Sequence, residues 1–141
     1  MKEITPKSMY NLSLEIADYL KDQELWSGIH IYVANKCIKS EKDMFDRTDW
    51  VEKKTKDGTV YFEKEDIDVT EKIEYCNKDT ITITFEGILY SVINYNDMNF
   101  IYNMTEKFLD DYGLCFEQGH AWSMAAYKAW KKGDILWSVL L

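Results

Sequence analysis

A chain of 141 residues with 46% apolar side chains has the size of one ordinary domain and can bury a core without disulfides or a structural metal. Its 25 acidic residues against 17 basic ones leave a formal charge of -8, which argues against a basic face for direct nucleic-acid binding, and the single arginine, Arg47, is poor provision for bidentate phosphate recognition. Three widely spaced cysteines, Cys37, Cys76 and Cys115, make neither a disulfide framework nor a C-x-x-C pair, and no run reaches the roughly 18 apolar residues of a membrane span, so the expectation is a soluble protein of the reducing cytoplasm.

Along the chain, Thr5 before Pro6 reads as an N-cap followed by proline at the first helical position. Leu12, Ile16, Tyr19 and Leu20 recur at helical spacing, which predicts an amphipathic helix from Pro6 to Lys21. Ile29, Ile31 and Val33 then alternate with His30, Tyr32 and Ala34 at the period of a strand. Asp57-Gly58 between two extended runs signals a type I′ hairpin, whose two-residue loop sets Thr55 opposite Val60, Lys54 opposite Tyr61, Lys53 opposite Phe62 and Glu52 opposite Glu63. A second antiparallel pair is expected across the turn Asn77-Lys78-Asp79, with Ile73, Tyr75, Ile81, Ile83 and Phe85 on the inner face and Thr80, Thr82 and Thr84 outward. Gly87 reads as a bulge or turn before a further extended stretch, ILYSVINY.

Asp97 caps a helix with Ile101, Met104, Phe108 and Tyr112 on one stripe, closed by Gly113. Ala121, Ala125, Ala126 and Ala129 predict a last, closely packed helix from about Ala121 to Lys132, with Trp122, Met124 and Trp130 filling neighbouring gaps, before a short strand ILWSVLL. The sum is a single α+β domain over residues 1–141: a curved antiparallel sheet of about five or six strands with an N-terminal helix and two C-terminal helices packed on it.

Motifs for chemistry are sparse. The chain contains no G-x-x-x-x-G-K or G-x-G-x-x-G phosphate loop and no EF-hand pattern, and its histidines and cysteines lack metal-ligand spacing, so no metal and no cofactor are expected. Cys115 and His120, with Glu117 as an orienting group, are the pair that a small enzyme or ligand-binding domain would use, in a pocket between sheet and helices. Catalytic cysteines usually meet their histidine through the fold, and cysteine is among the most buried residue types, so the preferred reading of this pair is structural and the chain is read as no enzyme.

The segment FEKEDIDVTEKIE stands out. It concentrates Glu63, Glu65, Asp66, Asp68, Glu71 and Glu74 against Lys64 and Lys72 only, beside Tyr61 and Phe62. One reading is a solvated strand edge whose charges discourage edge pairing. The other is a partner-binding face formed by these carboxylates with Tyr61 and Phe62, in which carboxylates spaced along strands stand in for phosphates and add association rate and selectivity. Residues 41–95, with 14 acids and eight bases, hold -6 of the total charge.

Small size, net acidity, abundant Tyr, Asn and Lys and an acidic patch without a catalytic motif resemble the small anti-defence proteins of phages and mobile elements, the anti-CRISPR and antirestriction class, several of which occupy nucleic-acid channels as DNA mimics. Immunity proteins against nuclease toxins are similar. The resemblance is one of composition and class, and it assigns no residues. It implies a non-enzymatic inhibitor, in the host cytoplasm if phage-encoded, that binds a basic partner such as a nucleic-acid-binding effector or nuclease. A subunit that buries its aromatic face in a homodimer or larger assembly is the remaining reading.

Overall fold

Proline at the first helical position and the apolar spacing behind it do produce a helix. In the computed structural model, which describes residues 6–42, 50–68, 71 and 80–128, α1 runs Pro6–Asp22. Met9, Leu12, Ile16 and Leu20 form its buried stripe. At about 1.5–3 kcal/mol each, these four side chains contribute about 6–12 kcal/mol before the entropy of ordering them is subtracted.

The strands follow as β1 (Ile29–Val33), β2 (Lys36–Lys39), β3 (Val51–Lys54), β4 (Val60–Lys64) and β5 (Ile81–Phe85). After a helical stretch come α3 (Phe100–Tyr112), β6 (Leu114–Gln118) and β7 (Ser123–Lys128). Among the described residues seven strands make one antiparallel sheet in the order β3-β4-β2-β1-β5-β7-β6, curved and not closed. The fold is α+β, with one strand more than the upper expectation.

Alternation decides which side of the sheet is the core. Ile31 stands opposite Ile38 on β2 and Ile83 on β5, Ile29 opposite Phe85, and Ile81 and Ile83 opposite Ala126 and Met124 on β7. These side chains share one face with the buried residues of α1 and with Phe100, Met104 and Phe108 of α3. The second face carries His30, Tyr32, Cys37 and Thr82. Thr82, expected outward to solvent, is on that second face but buried, and Cys37 beside it is buried too. The partner strand expected before the Asn77-Lys78-Asp79 turn and the final strand ILWSVLL lie outside the described residues.

Two expectations about the C-terminal half are corrected. ILYSVINY is not extended: Ile88–Ser91 forms a short helix, α2, that runs on as a π-helical turn over Val92–Asn96, closed by Asp97 N donating to the Val92 carbonyl at 2.7 Å. Leu89 and Ile93, four residues and about one turn apart, point to the core, as i and i+4 do on one face of a helix. The expected helix from Ala121 is β7 instead, with Met124 and Ala126 buried on the core face and Ala125 opposite Thr82. Hydrogen bonding to β5 on one side and β6 on the other outweighs the modest helix preference of alanine, and the small side chains suit a strand inside the sheet.

The helix at Asp97 is as expected, except that Asn99 occupies the cap position while Asp97 Oδ1 accepts from Asn99 N at 3.0 Å. Gly113 ends it in the left-handed conformation, φ 65, and donates to the Leu109 carbonyl. Gly28, at φ 67, fits where α1 turns into β1 because a Cβ there would meet the Glu86 carbonyl oxygen at 2.8 Å.

Candidate functional site

The β3–β4 hairpin decides how the acidic segment is displayed, and its register departs from expectation by one residue. Lys54 stands opposite Val60, Lys53 opposite Tyr61, Glu52 opposite Phe62 and Val51 opposite Glu63. The loop has three residues, closed by Thr55 N to the Thr59 carbonyl at 2.9 Å and Gly58 N to the Thr55 carbonyl at 3.0 Å. Gly58 has a positive φ while Asp57 does not, so the type I′ turn, which needs both, does not form. A one-residue slip turns every side chain of one strand to the other face. It separates Glu52 from Glu63 and brings Lys53 onto the face of Tyr61 and Glu63.

The expected partner-binding residues are consequently split. Tyr61 and Glu63 turn inward beneath α1, with exposures of 3% and 2%. Phe62 points to the second face, opposite Lys39 and Glu52, and is half-buried. Glu65, Asp66, Asp68 and Glu71 are exposed beyond the end of β4, and Glu74 lies outside the described residues. The exposed segment is anchored by Ile67 N donating to the Asn35 carbonyl at 2.8 Å and by Lys36 Nζ 3.4 Å from Glu65 Oε1. Asp66 takes a left-handed φ of 57, a conformation that Asp accepts more readily than most side chains.

Behind this surface sits a polar cluster that sequence reasoning did not assemble. Glu63 Oε2 accepts from Lys53 Nζ at 2.7 Å and stands 3.8 Å from Lys36 Nζ, whose ammonium also lies 4.5 Å from the centre of the Tyr10 ring. The Tyr10 and Tyr61 hydroxyls are 2.9 Å apart. Glu63 Oε1 has no hydrogen-bond partner of regular geometry, although Tyr10 stands near enough to affect its ionisation. The arrangement that uses every proton has Tyr61 donate to Tyr10, so that Tyr10 can turn its own proton to Glu63.

Burial alone would push the Glu63 carboxyl up. The hydrogen bond from Lys53, the neighbouring Tyr10 hydroxyl and the charges of Lys36 and Lys53 outweigh it and hold the group below its usual range. The same bond to Glu63 raises Lys53, and burial followed by Glu63 and Tyr61 drives Tyr10 well above the usual phenol range. The cross-strand offset of Lys53 and Glu63 was the available signal for this cluster, obscured by the assumed two-residue loop.

Cys115 and His120 occupy different settings. Cys115 is on β6, opposite Tyr127, and Glu117 follows on the same face. Burial first, and the Glu117 charge second, raise the Cys115 thiol above its ordinary value, the direction opposite to that of an activated nucleophile. His120 lies in the β6–β7 turn with its ring stacked on Trp122 at 4.7 Å, and its backbone N–H donates to Ser123 Oγ. Among the described residues no group of three or more His, Cys, Asp or Glu side chains is arranged to hold a metal ion, and no helix is long and apolar enough to cross a membrane.

The same turn borders a surface that the sequence reading passed over. Asn94 Nδ2 donates to the Ala121 carbonyl at 2.8 Å and Gln118 Nε2 to Asn94 Oδ1 at 3.0 Å, so β6–β7 and the π-helical turn are held together. Tyr95 and Trp122, the chain neighbours of Asn94 and Ala121, are exposed, and so are Met98 and Tyr102 further along the chain. No protein-family model matches the chain, and no curated protein or solved structure matches it.

Proposed function

We propose that this chain is a non-enzymatic binding protein that uses its exposed carboxylates to occupy a basic, nucleic-acid-binding surface of a partner, in the manner of the small anti-defence inhibitors it resembles. The observation that carries the reading is the exposed run of Glu65, Asp66, Asp68 and Glu71, tied to the sheet through Ile67 and Lys36. Anchored carboxylates keep their spacing, so less ordering entropy is lost on docking than for a free acidic tail. The net charge of -8 favours fast encounter with a basic surface. Tyr61 and Glu63 support this surface from inside.

The test is displacement of DNA from purified DNA-binding effectors and nucleases of defence systems, followed by electrophoretic mobility. The wild-type chain is expected to release DNA from its target, with an apparent affinity that falls steeply as salt rises. The variant E65K/D66N/D68K is expected to lose that activity; asparagine is chosen at 66 because it tolerates the left-handed backbone there. Equal displacement by the variant, or displacement indifferent to salt, would overturn the proposal.

A further inference from the structure

We infer that the α2–α3 junction and the β6–β7 turn form a second docking surface, for a protein segment that presents an apolar anchor flanked by Lys or Arg. Met98 is 93% exposed, Tyr95 74% and Tyr102 64%, three large side chains turned to solvent within one stretch of eight residues that also buries Phe100. They follow one another along the chain, Tyr95 in the π-helical turn, Met98 in the link and Tyr102 in the first turn of α3. The bond from Asn94 to the Ala121 carbonyl brings the half-exposed Trp122 to the same region. Tyr, Trp and Met are the side chains enriched at the centres of protein interfaces, and π-helical turns recur at functional positions.

Charge complementarity selects the occupant. Between Glu86 and Gln118 the chain has six acids and one base, Lys107, a net of -5. The Lys107 ammonium lies against the Tyr19 and Phe108 rings, 5.7 and 5.8 Å from their centres. Glu106, one turn beyond Tyr102, stands near enough to raise the pKa of that phenol, and Glu117 is exposed on β6. A second copy of this chain would set two acidic rims against each other, whereas a segment with basic flanks satisfies them. The surface lies by the β6 end of the sheet, away from the acidic segment that follows β4 beside the other edge, and its case does not rest on that segment.

The experiment pans a phage-displayed library of short random peptides on the full chain and measures the recovered synthetic peptides by calorimetry. Enriched sequences are expected to combine an aromatic or aliphatic anchor with several Lys or Arg, to lose roughly tenfold or more in affinity for M98A and for Y102A, and to lose salt dependence with E106K/E117K. Binding is expected to survive in E65K/D66N/D68K, which separates this surface from the one proposed above. Circular dichroism verifies that each variant is folded. Acidic or neutral consensus peptides, equal affinity for M98A and Y102A, absence of any enrichment, or self-association of the wild-type chain that M98A abolishes would each overturn the inference.

Discussion

The Glu63 carboxylate, 2% exposed, stays ionised because Lys53, Lys36 and Tyr10 together outweigh the cost of burying it. Its folded pKa lies below the ordinary 4.5, so the stability it supplies is complete above that unfolded value and is lost as pH falls through the depressed folded one. Glu63→Gln is expected to cost about 1–2 kcal/mol at pH 7, less than a fully buried pair because Lys53 is 39% exposed. The cost should shrink as pH drops below 4.5 and through the lower folded pKa, where the wild-type group becomes neutral in the folded chain too. Urea denaturation at neutral and acid pH measures both values, and an equal loss at the two would show that the charge is not what matters. His30 acts in the same sense: burial, then Lys39, lowers its pKa, so protonation below its ordinary 6.5 favours the unfolded chain.

At the scale of elements, one side chain of α1 holds both threonines that flank the β3–β4 loop. Asp18 Oδ1 accepts from Thr55 Oγ1 and from Thr59 Oγ1, each at 2.6 Å, and Trp26 Nε1 donates to the Val60 carbonyl at 2.9 Å. Thr55 and Thr59 are buried, so Asp18→Ala leaves two hydroxyls short of an acceptor and is expected to cost about 1–3 kcal/mol. Hydrogen exchange should quicken across residues 51–64 while β1 and β5, in the middle of the sheet, stay protected, and Asp18→Asn should restore part of the protection. Uniform acceleration would mean that the hairpin does not open on its own. The elements legible in sequence were those whose local signals agree with their packing: α1 with its proline and stripe, β1 with its alternation, and α3 with Gly113 at its end. Those misread, α2 and β7, have local preferences that pairing and core position override.

For the molecule as a whole, function and stability are expected to be separable on the acidic side. E65K/D66N/D68K changes the charge by +2, +1 and +2, from -8 to -3. All three side chains are exposed, and the Lys36–Glu65 pair has a 61% exposed carboxylate, which makes it a weak contributor. Thermal denaturation of this variant is expected to place its stability within about 0.5 kcal/mol of wild type. A much larger loss would make the segment part of the scaffold and would remove the basis for reading it as a docking face.

Composition, charge and apolar periodicity were enough to determine an α+β domain with an acidic middle third, the first helix, the helix before Gly113 and the place of the hairpin, because each of these depends on neighbours within a few residues. What only the tertiary structure decided was the sidedness. The hairpin loop closes with three residues because Thr55 and Thr59 are tied to Asp18 on another element, and that one-residue change turns Lys53 to Glu63. The stretch from Ala121 is extended because β5 and β6 stand on either side of it. Of the same stretch, Leu89, Ile93, Phe100 and Met104 are turned to the core and Tyr95, Met98 and Tyr102 to solvent. Contacts between distant segments set these choices, and no window of local sequence contains both partners.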